Sequence, residues 1–330
     1  MDGFDATLEG MADQLEDTGR YRVLRRLDRD AMTAPTLAAD APAAEGARTA
    51  LYIDLETTGL DGARDEIIEI AIVPFDYAAD GRVLGVRPAY AAFQDPGRPI
   101  PAAVTEVTGI TDAMVAGAAI DGAAVGRLAE GAALAVAHNA GFDRPFMERF
   151  DPRFAELPWA CSMQEVDWTG EGFDGRKLGH LAMQSGFFFP GHRAELDCLA
   201  GVELLTRRLP TSGAPAMARL LETARLGRLR LWATDAPFDA KDALKARGYR
   251  WSGGEGAQPR GWWCDLEEAD AADEAAWLRS EVYRGDAEVT AARVTARERH
   301  SARPPATLRR LALSALPLAA ARAPARRDAA

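Results

Sequence analysis

The chain has 330 residues, 48% of them hydrophobic and 27% charged, with a formal net charge of −11. That length accommodates one or two domains plus extensions, the acidic balance disfavours a protein held on nucleic acid by bulk electrostatics, and no apolar run reaches the roughly 18 residues of a transmembrane helix, so no membrane partner is expected. Three scattered cysteines, Cys161, Cys198 and Cys264, form neither a disulfide framework nor a zinc site, and an acidic start (Asp2, Asp5, Glu9, Asp13) stands where a secretory signal would be basic then apolar, so a reducing cytoplasm is the expected location.

In chain order, residues 1–30 read as a helical extension with an apolar stripe of Leu15, Tyr21, Val23, Leu24 and Leu27, and residues 31–48, rich in Ala, Pro and Thr without periodicity, read as a linker. From Ala50 the pattern changes to a compact strand, LYIDLETTGL, closed by Gly59, then strands follow at about 66–75 and 83–93 with a turn at 76–81; three strands on short links imply an antiparallel meander. Beyond Pro99 the pattern is helical with a break at Thr108 and Gly109. A helix at 124–131, a strand at 133–137, a helix at 142–150 with Pro145 in its first turn, a strand near 159–163 and helices near 177–186 and 194–208 complete the unit. Three strands followed by alternating helices and strands predict an α/β unit, a mixed five-stranded sheet flanked by helices. A helical connector at 211–228 leads to a small α+β unit at 229–300, read as strand, helix, tryptophan-rich hairpin, helix and strand. The segment 301–330 reads as a disordered basic tail; residues 291–330 carry nine arginines against Glu298 and Asp328.

Three segments carry chemistry. Asp54 and Glu56 are two apart on the first strand, so the strand period places both on one face. Paired acids are costly to bury unless a divalent cation lies between them, and carboxylate oxygens are the ligands Mg²⁺ prefers; the other reading is that one of them faces water at the strand end. The run HNAGFD, His138 to Asp143, lies where a strand passes into a helix, at the edge where open α/β sheets bind ligands; Asp143 alone would serve equally as an acid favourable at a helix N-terminus. The run HRAELD, His192 to Asp197, opens the last long helix. Together they offer four acids and one histidine. Two hard cations about 3.5–4 Å apart stabilise the attacking and leaving oxygens of phosphodiester hydrolysis, and an imidazole with an ordinary pKa near 6.5 takes a proton at neutral pH.

The segments DLETTG, HNAGFD and HRAELD resemble motifs I, II and III of the DEDDh, or DnaQ-like, exonucleases over about residues 49–210. The resemblance implies a ribonuclease H-like fold, two Mg²⁺ or Mn²⁺ ions, and stepwise release of nucleoside 5′-monophosphates from a 3′ end. It implies that Asp54 bridges both metals, that Glu56 and Asp197 bind the metal on the nucleophile side, that Asp143 holds the second, partly through water, and that His192 is the general base. Thr57 and the backbone near Thr58 resemble positions that meet the terminal nucleotide, and Leu60 a residue that wedges against the last base; His138 and Asn139 read as substrate contacts or equally as satisfied loop residues. Thr108 stands where a histidine often precedes the family's glycine. Phe142 reads as a core or base-proximal aromatic.

The implied substrate is the 3′ end of single-stranded or frayed DNA, in repair or proofreading, with a replication or repair partner left open; no clamp-binding peptide is evident. The alternatives are an RNA or oligoribonucleotide 3′ exonuclease and a non-catalytic nucleic-acid-binding module on the same fold. In the C-terminal unit, Lys241, Lys245, Arg247 and Arg250 near Tyr249, Trp251, Trp262 and Trp263 either bind single strands by stacking and charge or form the core of a small unit.

Overall fold

The computed structural model describes residues 6–27, 29, 32–254 and 258–316. The chain divides into two units, residues 1–223 and 224–330. The first opens with helix α1 (Ala6–Asp17), which stops far short of residue 30. Thr18 and Gly19 (φ 67°) turn the chain out of it, and Arg25–Arg26 become a short strand, β1, paired in parallel with residues 187–188. The expected apolar stripe therefore does not form; Leu27 is buried, whereas Tyr21 is 59% exposed. Residues 32–47 are not a free linker either. The Thr33 amide and hydroxyl donate to Glu203, and Thr36 bridges in parallel to Val86, with Leu37 N–H on the Val86 carbonyl and Val86 N–H on Pro35. One isolated bridge imposes no repeat on a sequence, so composition alone reads as a linker.

The sheet is the mixed α/β arrangement expected, with helices on both faces, but has six strands rather than five. Strand β2 (Arg48–Thr57) pairs antiparallel with β3 (Ile67–Tyr77). Strands β4 (Val83–Val86) and β5 (Tyr90–Phe93) both pair with the outer edge of β3. The single strand expected at 83–93 is thus broken in two. Arg87, Pro88 and Ala89 oppose only Val73 and Pro74, and Pro88 has no N–H to give a ladder. Helices α2 (Ala102–Thr108), ended by left-handed Gly109, α3 (Asp112–Val115) and α4 (Gly122–Gly131) follow. Strand β6 (Leu134–Ala137) runs parallel to β2, and after α5 (Ala140–Phe150) and α6 (Arg153–Glu156) strand β7 (Trp159–Cys161) runs parallel to β6. Helix α7 (Leu178–Gln184), strand β8 (Phe187–Phe188), helix α8 (Ala194–Thr206) and helix α9 (Ala216–Arg225) close the unit.

The alternation of β2 decides what each face meets. Leu51, Ile53 and Leu55 enter a core with Ile70, Val125, Phe146 and Trp159. Tyr52, Asp54 and Glu56 face the other way, where α8 crosses β2 and β3. The close approach is made by Gly201 of α8, where a Cβ would collide with the Tyr52 ring, and by the Cys198 thiol, which lies 3.4 Å from the Tyr52 carbonyl. Gly201→Ala should therefore destabilise the fold by about 2–3 kcal/mol through overpacking. A urea midpoint unchanged from the parent would show that the helix can shift at no cost.

The second unit is an antiparallel sheet of order β10–β11–β9–β12–β13. Its elements are β9 (Arg228–Ala233), α10 (Lys241–Ala246), β10 (Arg250–Ser252), β11 (Gly261–Leu266), α11 (Ala271–Trp277), β12 (Glu288–Val294) and β13 (Arg309–Ala312). Leu231, Leu244, Tyr249, Leu278 and Val289 form its core. Strand β13 corrects the expected disorder from residue 301: Leu311 pairs with Val289 and enters the side of that core. The rest of the expected tail, 317–330, lies outside the described residues. Among the described residues no helix is long and apolar enough to cross a membrane.

Candidate active site

Because β2 and β6 are parallel, their carboxyl ends open on the same edge of the sheet. Asp54 and Glu56 lie at that end of β2. Past β6 the chain turns at Asn139, which takes a left-handed conformation (φ 86°), and enters α5 with Asp143 in the first turn. Helix α8 starts over the same edge, and its first turn brings in Asp197. Carboxylate oxygens of Asp54, Glu56 and Asp197 all lie within 4.8 Å of one another. Asp143 is 2% exposed; it stands outside that trio but repels Asp54 and hydrogen-bonds to the Leu55 backbone.

Burial and mutual repulsion act on every member. Burial first, then Asp143, Asp197 and Glu56, hold the Asp54 carboxyl well above the usual range. Burial, Asp197 and Glu69 push Glu56 up to about 7 against the pull of Arg193. Burial lifts Asp197 to about 6, against the Arg193 amide, which donates to its Oδ2 at 3.0 Å, and against His192. Burial also raises Asp143. A donor set made only of carboxylate oxygens, packed at a cost that a cation would remove, fits hard divalent ions such as Mg²⁺ or Mn²⁺.

His192 is exposed, in a left-handed conformation (φ 64°), and close enough to Asp197 for their charges to interact. Leu60 is 87% exposed just beyond β2, and Asn139 is exposed at the start of α5. The threonine hydroxyls are committed to the loop. Thr57 donates to the Gly59 carbonyl at 2.5 Å. Thr58 donates to Asp65 and accepts from the Glu66 amide and Arg98. Phe142 packs against Phe146 and the sheet core.

His138 has both ring nitrogens engaged within the chain: its Nδ1 meets the Ser162 hydroxyl at 3.0 Å and its Nε2 meets the Arg176 carbonyl at 2.7 Å. Ser162 in turn bonds Tyr52 behind the acids. Burial lowers the His138 pKa to about 4. Above pH 6.5 the ring is neutral folded or unfolded. As pH falls from 6.5 toward 4, the unfolded chain takes up a proton that the folded one refuses, so stability drops. The parent should lose about 2 kcal/mol between pH 7 and pH 5 relative to a His138→Gln variant. Parallel urea unfolding curves for the two proteins over that window would disprove it.

Two residues went unassigned in the sequence. Glu69 of β3 is buried opposite Glu56 in the ladder, and Arg193 pairs with it at 3.0 Å while stacking 5.6 Å over Phe93. A pocket of about 320 Å³ opens there, lined by Glu69, Ala92, Phe93, Arg193 and Leu196. The signal was legible: Glu69 is the only acid between Ile67 and Phe75 in an otherwise apolar strand.

A family described as exonuclease matches residues 51–205. A DNA polymerase III subunit epsilon-like protein of Rhodobacter capsulatus is 38% identical over 199 residues, covering 55% of this chain but 27% of the relative. The DNA polymerase III subunit epsilon of Treponema pallidum is 32% identical over 163 residues, covering 46% of this chain and 73% of the relative. A solved structure of exonuclease X in complex with 5′ overhanging duplex DNA is 28% identical, covering 53% of this chain and 99% of that one with a TM-score of 0.38. The chain thus spans about a quarter of the first of these relatives, and the family match stops short of the second unit.

Proposed function

The chain belongs to the DnaQ-like exonuclease family, and from that premise we propose that it is a metal-dependent 3′–5′ exonuclease. Its substrate is the 3′ end of single-stranded or frayed DNA, which it shortens one nucleoside 5′-monophosphate at a time. The convergence of Asp54, Glu56 and Asp197 on one point, with Asp143 buried alongside and His192 next to Asp197, carries this reading.

Asp54, Glu56, Asp143 and Asp197 would hold two Mg²⁺ or Mn²⁺ ions. Such ions supply Lewis acidity, making water easier to deprotonate and stabilising charge on the leaving oxygen. His192 accepts the proton of the attacking water through its ring nitrogen; its exposed position beside the acids puts it on the solvent side, where water arrives. Oxygen adds to phosphorus, the P–O3′ bond breaks, and the mononucleotide leaves. Leu60 would press against the terminal base, a role its exposure in the loop after β2 supports. The relatives are named as subunits of a DNA polymerase, which supports DNA over RNA and a replication or repair setting.

A single strand labelled at its 5′ end, incubated with the full chain and Mg²⁺ or Mn²⁺, should give a ladder that shortens from the 3′ end. Immediate release of the label as a mononucleotide would reverse the polarity. Digestion of a matched RNA strand alone would move the substrate to RNA. No cleavage of either strand with either metal would reject the enzyme.

A further inference from the structure

The second unit splits its aromatic and basic residues into two sets. Arg230 is buried, ion-paired to Asp265 at 2.6 Å and stacked on Trp263, while Arg247 is tied to Glu274 and lies on Trp277. These are structural. The other set lies open. Phe238 is 81% exposed with Lys241 Nζ 4.3 Å from its ring. One helical turn on, Lys245 lies 5.7 Å over Trp262. Trp262 meets Trp251 edge-on at 5.5 Å, and Arg260 lies 6.0 Å over Trp251, which is 53% exposed. From Phe238 to Arg260 the order is ring, two cations, two rings and a cation. Among the described residues, no acid forms an ion pair with Lys241, Lys245 or Arg260, although Asp239 and Asp242 stand in the same helical segment.

We propose that this stripe is a second, non-catalytic site for single-stranded DNA, with bases stacking on Phe238 and Trp251 and phosphates on Lys241, Lys245 and Arg260. Rings for sequence-independent stacking, interleaved with cations for a backbone, are what a single strand demands. A duplex would hide its bases from the rings. The choice of DNA rests on the proposed function; the binding does not depend on hydrolysis.

The test uses the full chain in EDTA with a 5′-fluorescein dT20 strand and its U20 counterpart, read by anisotropy across a salt series. Trp251→Ala with Lys245→Gln should weaken dT20 binding about tenfold or more. Lys241→Gln with Lys245→Gln should lower the slope of log affinity against log salt by about 1.4. Hydrolysis of the p-nitrophenyl ester of thymidine 5′-monophosphate with Mn²⁺, a substrate too small to need the stripe, should stay within twofold of the parent. Unchanged dT20 affinity and salt slope in both variants would overturn the proposal, as would loss of U20 binding alone. If the tryptophan variant fails to fold by circular dichroism, the surface lysine pair decides through its salt slope. Loss of dT20 binding in a chain that hydrolyses nothing would uphold the stripe and reject the exonuclease.

Discussion

Asp54→Asn should lower kcat/KM by about 10³-fold or more and yet leave the metal-free protein more stable than its parent. The loss follows from position: Asp54 has an oxygen within 4.8 Å of oxygens of both Glu56 and Asp197, and Asp143 is the strongest of the charges that repel it. Removing its charge withdraws a ligand from ions expected to contribute several kcal/mol of transition-state stabilisation. The gain follows from the same geometry. Without cations, four neighbouring acids and burial all disfavour the Asp54 carboxylate, and an isosteric amide removes that conflict, contributing about 1–2 kcal/mol. Unfolding in EDTA and in Mn²⁺ separates the two effects. At a hundredfold excess over Kd, Mn²⁺ should stabilise the parent by about 2.7 kcal/mol and the variant by much less. Retained hydrolysis, or an equal Mn²⁺ shift in both proteins, would remove Asp54 from the site.

His192→Asn should behave in the opposite sense: kcat falls by about 10²–10⁴ while the Mn²⁺-induced stabilisation stays at the parental size. The first number is the usual contribution of a general base. The second follows because His192 sits beside Asp197 on the exposed rim and is outside the carboxylate trio. Asparagine is the informative replacement, since the backbone there is left-handed (φ 64°) and asparagine tolerates that conformation better than alanine. A fall in metal stabilisation matching the fall in rate would assign His192 to holding the ions. A rate unchanged from the parent would leave the proton to another group.

Much of this site was legible in one dimension because its signals are local. Asp54 and Glu56 share a face by strand period alone, and Asp143 and Asp197 each fall within a turn of a helix start that composition marks. Glu69 was readable too, as one acid in a buried apolar strand, but its meaning depends on the register that sets it opposite Glu56. His138 shows the limit from the other side. Its place in HNAGFD suited a substrate contact, and only the packing of β6 against the Ser162 and Arg176 segments takes up both its nitrogens.

The sequence by itself determined the strand–helix order of the first unit, the face on which the acids stand and the family to which they belong, because these rest on periods of 2 and 3.6 and on short motifs. The tertiary structure alone decided that Arg25–Arg26 leave the first helix to pair with Phe187–Phe188, that Thr36 bridges to Val86, and that Arg309–Ala312 form an edge strand rather than a tail. It also decided that Trp251 lies open while Trp232 is buried. Each of these depends on a partner tens to more than a hundred residues away in the chain or on which side of a sheet the helices cover, and neither condition imposes a repeat on the local sequence.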